Sequence, residues 1–309
     1  MTLRTAVNAS ERLLATVAAS ALLAAALVAS ADAQQSHSPP SRAVPAKPPP
    51  AAPAATSTPP PTGSPPTSEI SRRPTLGGYL GPQRLPDFRA FLPPPPAAGS
   101  ALAVADAAIF EQTRKLENGP RWQLAANDDR ISLKALLADF GCAAGIDLSS
   151  VDAPAITRVL ARSSADLFPL IGAAKDAYKV PRPFAEHEGP ICVMPSEELA
   201  ASPSYPSGHA ATGWLYALLL AEIDPAHADG IIQRGRAFGE SRVVCGVHYY
   251  SDIEAGRMTA TALVAKLHGA PEFETDIASA RAEVFSLRGK AQPAAAACEN
   301  EKANLATPW

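Results

Sequence analysis

Between residues 101 and 287 the apolar residues recur at helical spacing in stretch after stretch and nowhere settle into strict alternation. That pattern restricts this part of the chain to an all-α architecture. The helical stretches are predicted at 101–116, 131–140, 153–178, 208–223, 226–244, 249–267 and 271–287. Pro206-Ser207, Asp224-Pro225 and Gly269-Ala270-Pro271 supply stop and start signals between the later ones. The longest apolar runs, such as 214–221, fall far short of the roughly 20 residues that cross a bilayer, so the expectation is a soluble single-domain helical bundle.

The N-terminal third has a different composition. Arg4 and Arg12 precede an uncharged apolar run over 13–31, and Ala31-Asp32-Ala33 follows, which reads as a secretory signal peptide over 1–33 cleaved near Ala33. The run is long enough that an uncleaved membrane anchor is the alternative. Twelve prolines fall within the twenty-eight positions of 39–66, so 34–76 is expected as a Pro-rich disordered tether leaning to polyproline II. The domain is expected over 77–290, with 291–309 as a flexible tail. Loss of 1–33 removes two basic and two acidic residues and leaves the net charge at −3, which offers no nucleic-acid-binding surface. Export would place the four cysteines in an oxidising compartment. Cys192–Cys245 is the favoured bridge, because it would fasten the loop after Arg182-Pro183 to the segment that carries Arg242. Cys142 and Cys298 stay free or pair with each other. No cysteine or histidine spacing fits zinc.

Three short segments carry the chemistry: Lys175-x6-Arg182-Pro183, Pro206-Ser207-Gly208-His209 and Ser241-Arg242-x5-His248-x3-Asp252. Phosphoryl transfer requires neutralised phosphate oxygens and an aligned nucleophile and leaving group. Lys175 offers a point charge, while Arg182 and Arg242 offer planar forks that grip phosphate by two bonds. Ser207 suits the N-cap of the following helix, and Gly208 lets its backbone approach an anion at the helix N-terminus. His248 and Asp252 share a helix face, so the carboxylate can fix the imidazole tautomer and raise its basicity. Each piece alone is common, and their joint spacing is the signal.

Together the segments resemble the signature of the type 2 phosphatidic acid phosphatase superfamily, and more closely the class A bacterial non-specific acid phosphatases. Gly77-Gly78-Tyr79-Leu80, the run from Leu92 to Ser100, Ser204-Tyr205 and Gly239-Glu240 extend the likeness over about 79–287. The resemblance implies an all-helical, exported, metal-independent and cofactor-free enzyme, a homo-oligomer in the periplasm or secreted, acting on small-molecule phosphate monoesters. By position it makes His248 the nucleophile that forms a phosphohistidine, oriented by Asp252. His209 would protonate the leaving alcohol and then activate water, with Lys175, Arg182, Ser207, Gly208 and Arg242 holding the phosphate. The tether and the Ala-rich tail with Cys298 depart from the family pattern.

A vanadium haloperoxidase has a similar site, since vanadate imitates phosphate at the transition state. A lipid or pyrophosphate phosphatase and a non-catalytic phosphate-binding protein are the further rivals. His187 reads as a surface loop residue, His37, His227 and His268 as peripheral, and Tyr249 and Tyr250 as core. A bell-shaped pH profile on the acid side of neutrality is expected from His209 and His248, which need opposite protonation states.

Overall fold

The computed structural model describes residues 77–306, and among these every regular element is helical. The longer helices are α1 (Ala101–Arg114), α2 (Pro120–Asn127), α3 (Leu133–Asp139), α4 (Pro154–Tyr178), α5 (Gly208–Ile223), α6 (Ala228–Val244), α7 (Tyr250–Leu267), α8 (Pro271–Leu287) and α9 (Ala295–Leu305). The predicted leader and Pro-rich tether lie outside the described residues. No helix among the described residues is long and apolar enough to cross a membrane.

Helix α5 is apolar nearly all round, and a helix of that kind belongs in the interior. It buries Ala210, Ala211, Leu215, Tyr216, Leu219, Leu220 and Ile223 against α6, α7 and α4, while α8 packs along α4. Gly256 sets the α5–α7 crossing. A Cβ there would stand 2.6 Å from the Ser207 carbonyl oxygen, so the N-terminal half of α7 reaches the start of α5 only because the side chain is absent. Asp106 of α1 is buried and accepts from the backbone N–H and hydroxyl of Ser251 at 3.1 and 2.5 Å, which caps the first turn of α7.

Two departures from the expected pattern concern elements. Helix α2 was not among the predicted stretches, because its buried face is built around Arg121. That guanidinium donates to Ser241 Oγ at 2.9 Å and to the Ala237 carbonyl at 3.0 Å. The tail is the second correction: 291–309 was expected to be flexible, yet it contains helix α9. A disulfide joins Cys298 of α9 to Cys142 across 156 residues, and Glu301 reaches Arg234 at 3.2 Å. The Ala-rich composition that read as tail is also strong helix-forming composition, and the bridge supplies the tertiary anchor that a short isolated helix lacks.

Candidate active site

The three segments converge at one end of the bundle. Lys175 lies in the last turn of α4, and Arg182 in the extended backbone before the helical turn Pro183–Glu186. Ser207 is the N-cap of α5, its Oγ accepting from the Ala210 N–H at 3.3 Å, and Gly208 and His209 form the first turn. Arg242 ends α6, His248 sits in the α6–α7 connection, and Asp252 occupies the first turn of α7. The Ser207 N–H donates to the Asp252 carbonyl at 3.0 Å, locking the second segment to the third.

His248 is buried, and its two ring nitrogens have distinct neighbours. Nδ1 lies 3.1 Å from Asp252 Oδ2 and 3.2 Å from Ser204 Oγ, and the Ser204 hydroxyl also donates to Asp252 Oδ2. Asp252 Oδ2 further accepts from the Tyr249 N–H at 2.8 Å. On the other side Nε2 lies 3.2 Å from Arg182 Nη1, a group that can only donate. Nε2 therefore carries a lone pair, and Nδ1–H points to the carboxylate. Burial, followed by the charges of Arg182, Lys175 and Arg242, pushes the His248 pKa well below the ordinary histidine range. Burial also pushes the Asp252 carboxyl up to about 7, against its hydrogen bonds from Ser204 and Tyr249 and the charge of Lys175.

Arg182 and Arg242 are buried as well, and Lys175 is half-buried. Arg182 donates to the Ser202 and Val247 carbonyls, each at 2.9 Å, and Lys175 to the Pro203 carbonyl. Burial and the neighbouring Arg182 lower the Lys175 pKa to about 7. Arg242 is 1% exposed; its Nη2 lies 2.8 Å from Asp129 Oδ1, while Nε and Nη1 meet no acceptor. A buried donor left without a partner costs about 1–3 kcal/mol, so these two N–H groups favour an anion. His209 Nε2 lies 3.0 Å from the Asp129 carbonyl oxygen, which only accepts, so this nitrogen bears hydrogen. Burial and Arg242 hold its pKa well below the ordinary range.

These directions revise the expected origin of the pH profile. Asp252 does not keep His248 cationic, because burial and three cations outweigh one carboxylate; both histidines are neutral near pH 7, and Lys175 and Asp252 are the groups that titrate there.

Structure gives roles to residues outside the three signature segments. Ser204 joins the His248–Asp252 pair, and Asp129 touches both Arg242 and His209. Arg114 of α1 donates to the Val243 and Val244 carbonyls at 3.0 and 2.6 Å and to Pro190, capping the C-terminus of α6 just before His248. Gly246 follows with φ 80°, a left-handed turn in which a Cβ would meet the Arg114 guanidinium at 2.5 Å. Beside it, Cys192 and Cys245 form a disulfide with their Cα atoms 4.7 Å apart. His187 lies between the rings of Phe110 and Tyr249, at 5.4 and 6.0 Å. His227 pairs with Asp224, and His268 with Glu222 and Glu274. Tyr249 and Tyr250 are half-buried rather than core, since Tyr249 turns its hydroxyl outward to Glu186 at 2.7 Å. Among the described residues no group of three His, Cys, Asp or Glu side chains could hold a metal ion.

An all-helical domain with two buried arginines and a half-buried lysine, unpartnered N–H groups on one of those arginines and a carboxylate-held histidine just ahead of a helix N-terminus defines a protein class built to handle an anion. The PAP2 superfamily model matches residues 159–274, a span that includes every signature position from Lys175 to Asp252. The chain is 41% identical over 202 residues to a protein named acid phosphatase from Zymomonas mobilis, covering 65% of this chain and 76% of the relative. A non-specific acid phosphatase from Providencia stuartii is 38% identical over 226 residues, with 72% and 91% covered. One from Salmonella typhimurium is 32% identical over 213 residues, with 68% and 85% covered. The chain belongs to the PAP2 superfamily, among its bacterial non-specific acid phosphatases.

Proposed function

We propose that the protein is an exported acid phosphatase that hydrolyses phosphomonoesters through a phosphohistidine on His248. The observation that carries this reading is the ring geometry of His248, with Nδ1 held by Asp252 and Ser204 and Nε2 presented as a lone pair beside Arg182. In the first step Nε2 attacks phosphorus, the ester P–O bond breaks, and the departing oxygen takes the proton of an imidazolium at His209. Bound phosphate raises the His209 pKa by favouring that charged form. In the second step water attacks the phosphohistidine, gives a proton to His209, and the P–N bond breaks to release inorganic phosphate. Lys175, Arg182, Arg242 and the N–H groups of Gly208 and His209 neutralise the equatorial oxygens throughout. Two disulfides, Cys142–Cys298 and Cys192–Cys245, fit an oxidising compartment and support export.

The test is the covalent intermediate. Acid-quenched wild-type protein treated with labelled substrate should carry phosphate that is acid-labile and alkali-stable, and His248→Ala should lose both label and turnover while its helical circular dichroism is unchanged. A label with the opposite stability, as from phosphoserine, would overturn the mechanism.

A further inference from the structure

Asp129 belongs to none of the signature segments, yet it engages two of the groups assigned to the substrate. Its carboxylate lies 2.8 Å from Arg242 Nη2, and its carbonyl oxygen lies 3.0 Å from His209 Nε2. The placement is built into the core by its neighbour. Asp128 is fully buried, binds Arg234 through two bonds at 2.6 and 3.2 Å and accepts from the Ser241 hydroxyl at 2.6 Å. Consecutive residues thus pair with consecutive residues, Asp128 with Ser241 and Asp129 with Arg242. The two carboxylates differ in exposure: Asp128 is sealed, whereas the Asp129 side chain is 42% exposed and can swing to solvent without breaking the core.

A guanidinium grips phosphate by two bonds along its Nε–Nη2 edge or across its Nη1–Nη2 end, and both grips use Nη2. Nη2 is the atom that Asp129 holds, while Nε and Nη1 are buried without an acceptor. A phosphate group entering here must displace the Asp129 carboxylate or bind beside it as a like charge. We propose that Asp129 is a specificity-determining residue, an internal anion that competes with the phosphate group for Arg242 and keeps the hold on inorganic phosphate weak. In turnover it opposes product retention. The swing frees Arg242 Nη2 alone, because His209 Nε2 is held by the Asp129 backbone carbonyl, which stays in place.

The inference rests on the phosphate reading of this site, and the experiment separates the two. Wild-type protein, Asp129→Asn, Asp129→Ala and Asp129→Glu are assayed on p-nitrophenyl phosphate across a series of inorganic phosphate concentrations. The neutral variants should bind phosphate more tightly, with an inhibition constant lowered about two- to fivefold for one part-exposed charge removed. KM should fall with it, and Asp129→Glu should restore wild-type values. An unchanged or raised inhibition constant in the neutral variants overturns the proposal and makes Asp129 a positioning residue for Arg242. A crystal structure of the wild-type protein with vanadate tests the same point without any variant. Asp129 should have left Arg242, and a carboxylate still at hydrogen-bond distance from Nη2 overturns the displacement. Wild-type protein that neither hydrolyses p-nitrophenyl phosphate nor responds to phosphate overturns the reading of the site itself, before any variant is compared.

Discussion

Lys175 is the residue through which rising pH should weaken phosphate binding by the free protein, while Asp252, pushed up to about 7, loses its charge as pH falls. Burial and Arg182 lower the Lys175 pKa to about 7, so it is cationic below that value and neutral above it. The attraction of Lys175 for phosphate is present on the acid side and is lost as pH rises through about 7. The alkaline fall of kcat/KM should therefore report Lys175, because that ratio reads the free enzyme. Lys175→Arg keeps its charge at all accessible pH, so its kcat/KM profile should extend to higher pH even where its maximum is lower. An alkaline fall in the arginine variant that coincides with wild type would remove Lys175 from this role. Ser204 offers a second test at this scale. Its hydroxyl fixes Asp252 Oδ2 against His248 Nδ1, so Ser204→Ala should lower kcat by about 10–100-fold, the rate equivalent of the roughly 1–3 kcal/mol lost when a buried polar group loses its partner. KM should change little, since Ser204 faces away from the nitrogen that meets phosphate.

At the scale of elements, the α6 C-terminus and the α2–α3 turn form the frame on which the site hangs. Asp128 and Arg234 make a buried bidentate pair beneath Arg242, with Asp139 and Glu301 completing its surroundings. Burial, opposed by Arg234, pushes the Asp139 carboxyl up to about 6. Removing one partner of a buried pair strands the other, so Asp128→Ala should lose about 3–5 kcal/mol in urea unfolding. Helix α9 exposes most of its surface and buries no residue, so its attachment depends on Cys142–Cys298 and on Glu301. Replacing both Cys142 and Cys298 by serine should cost about 2–4 kcal/mol, on the order of 5–15 °C in Tm. A double variant that melts with wild type would show that α9 contributes nothing to the fold.

For the molecule as a whole, charge neutralisation in the proposed site comes from side chains and backbone. Turnover should persist in EDTA and be blocked by vanadate, which takes the geometry of the phosphoryl transition state. Loss of rate in chelator that zinc or magnesium restores would overturn this account of the site. The same protein assayed for halide oxidation with vanadate and peroxide separates the phosphatase reading from the haloperoxidase one.

Periodicity and signature spacing were legible along the chain because both are local or positional. An interior helix must be apolar all round, as α5 is, whereas the expected helix face shared by His248 and Asp252 is corrected: His248 lies in the α6–α7 connection and meets Asp252 across the turn into α7. The sequence by itself thus determined the all-α class, the main helices and the set of residues brought to one end of the bundle. Tertiary structure alone decided the rest. Asp129 and Ser204 matter through the partners that folding gives them, and no spacing rule ties residue 129 to 242. The protonation states of His248, His209 and Lys175 depend on burial and on cations drawn from separate segments, which one segment does not disclose. Helix α9 is fixed by a bridge spanning 156 residues, and sequence proximity carries no information about so distant a partner.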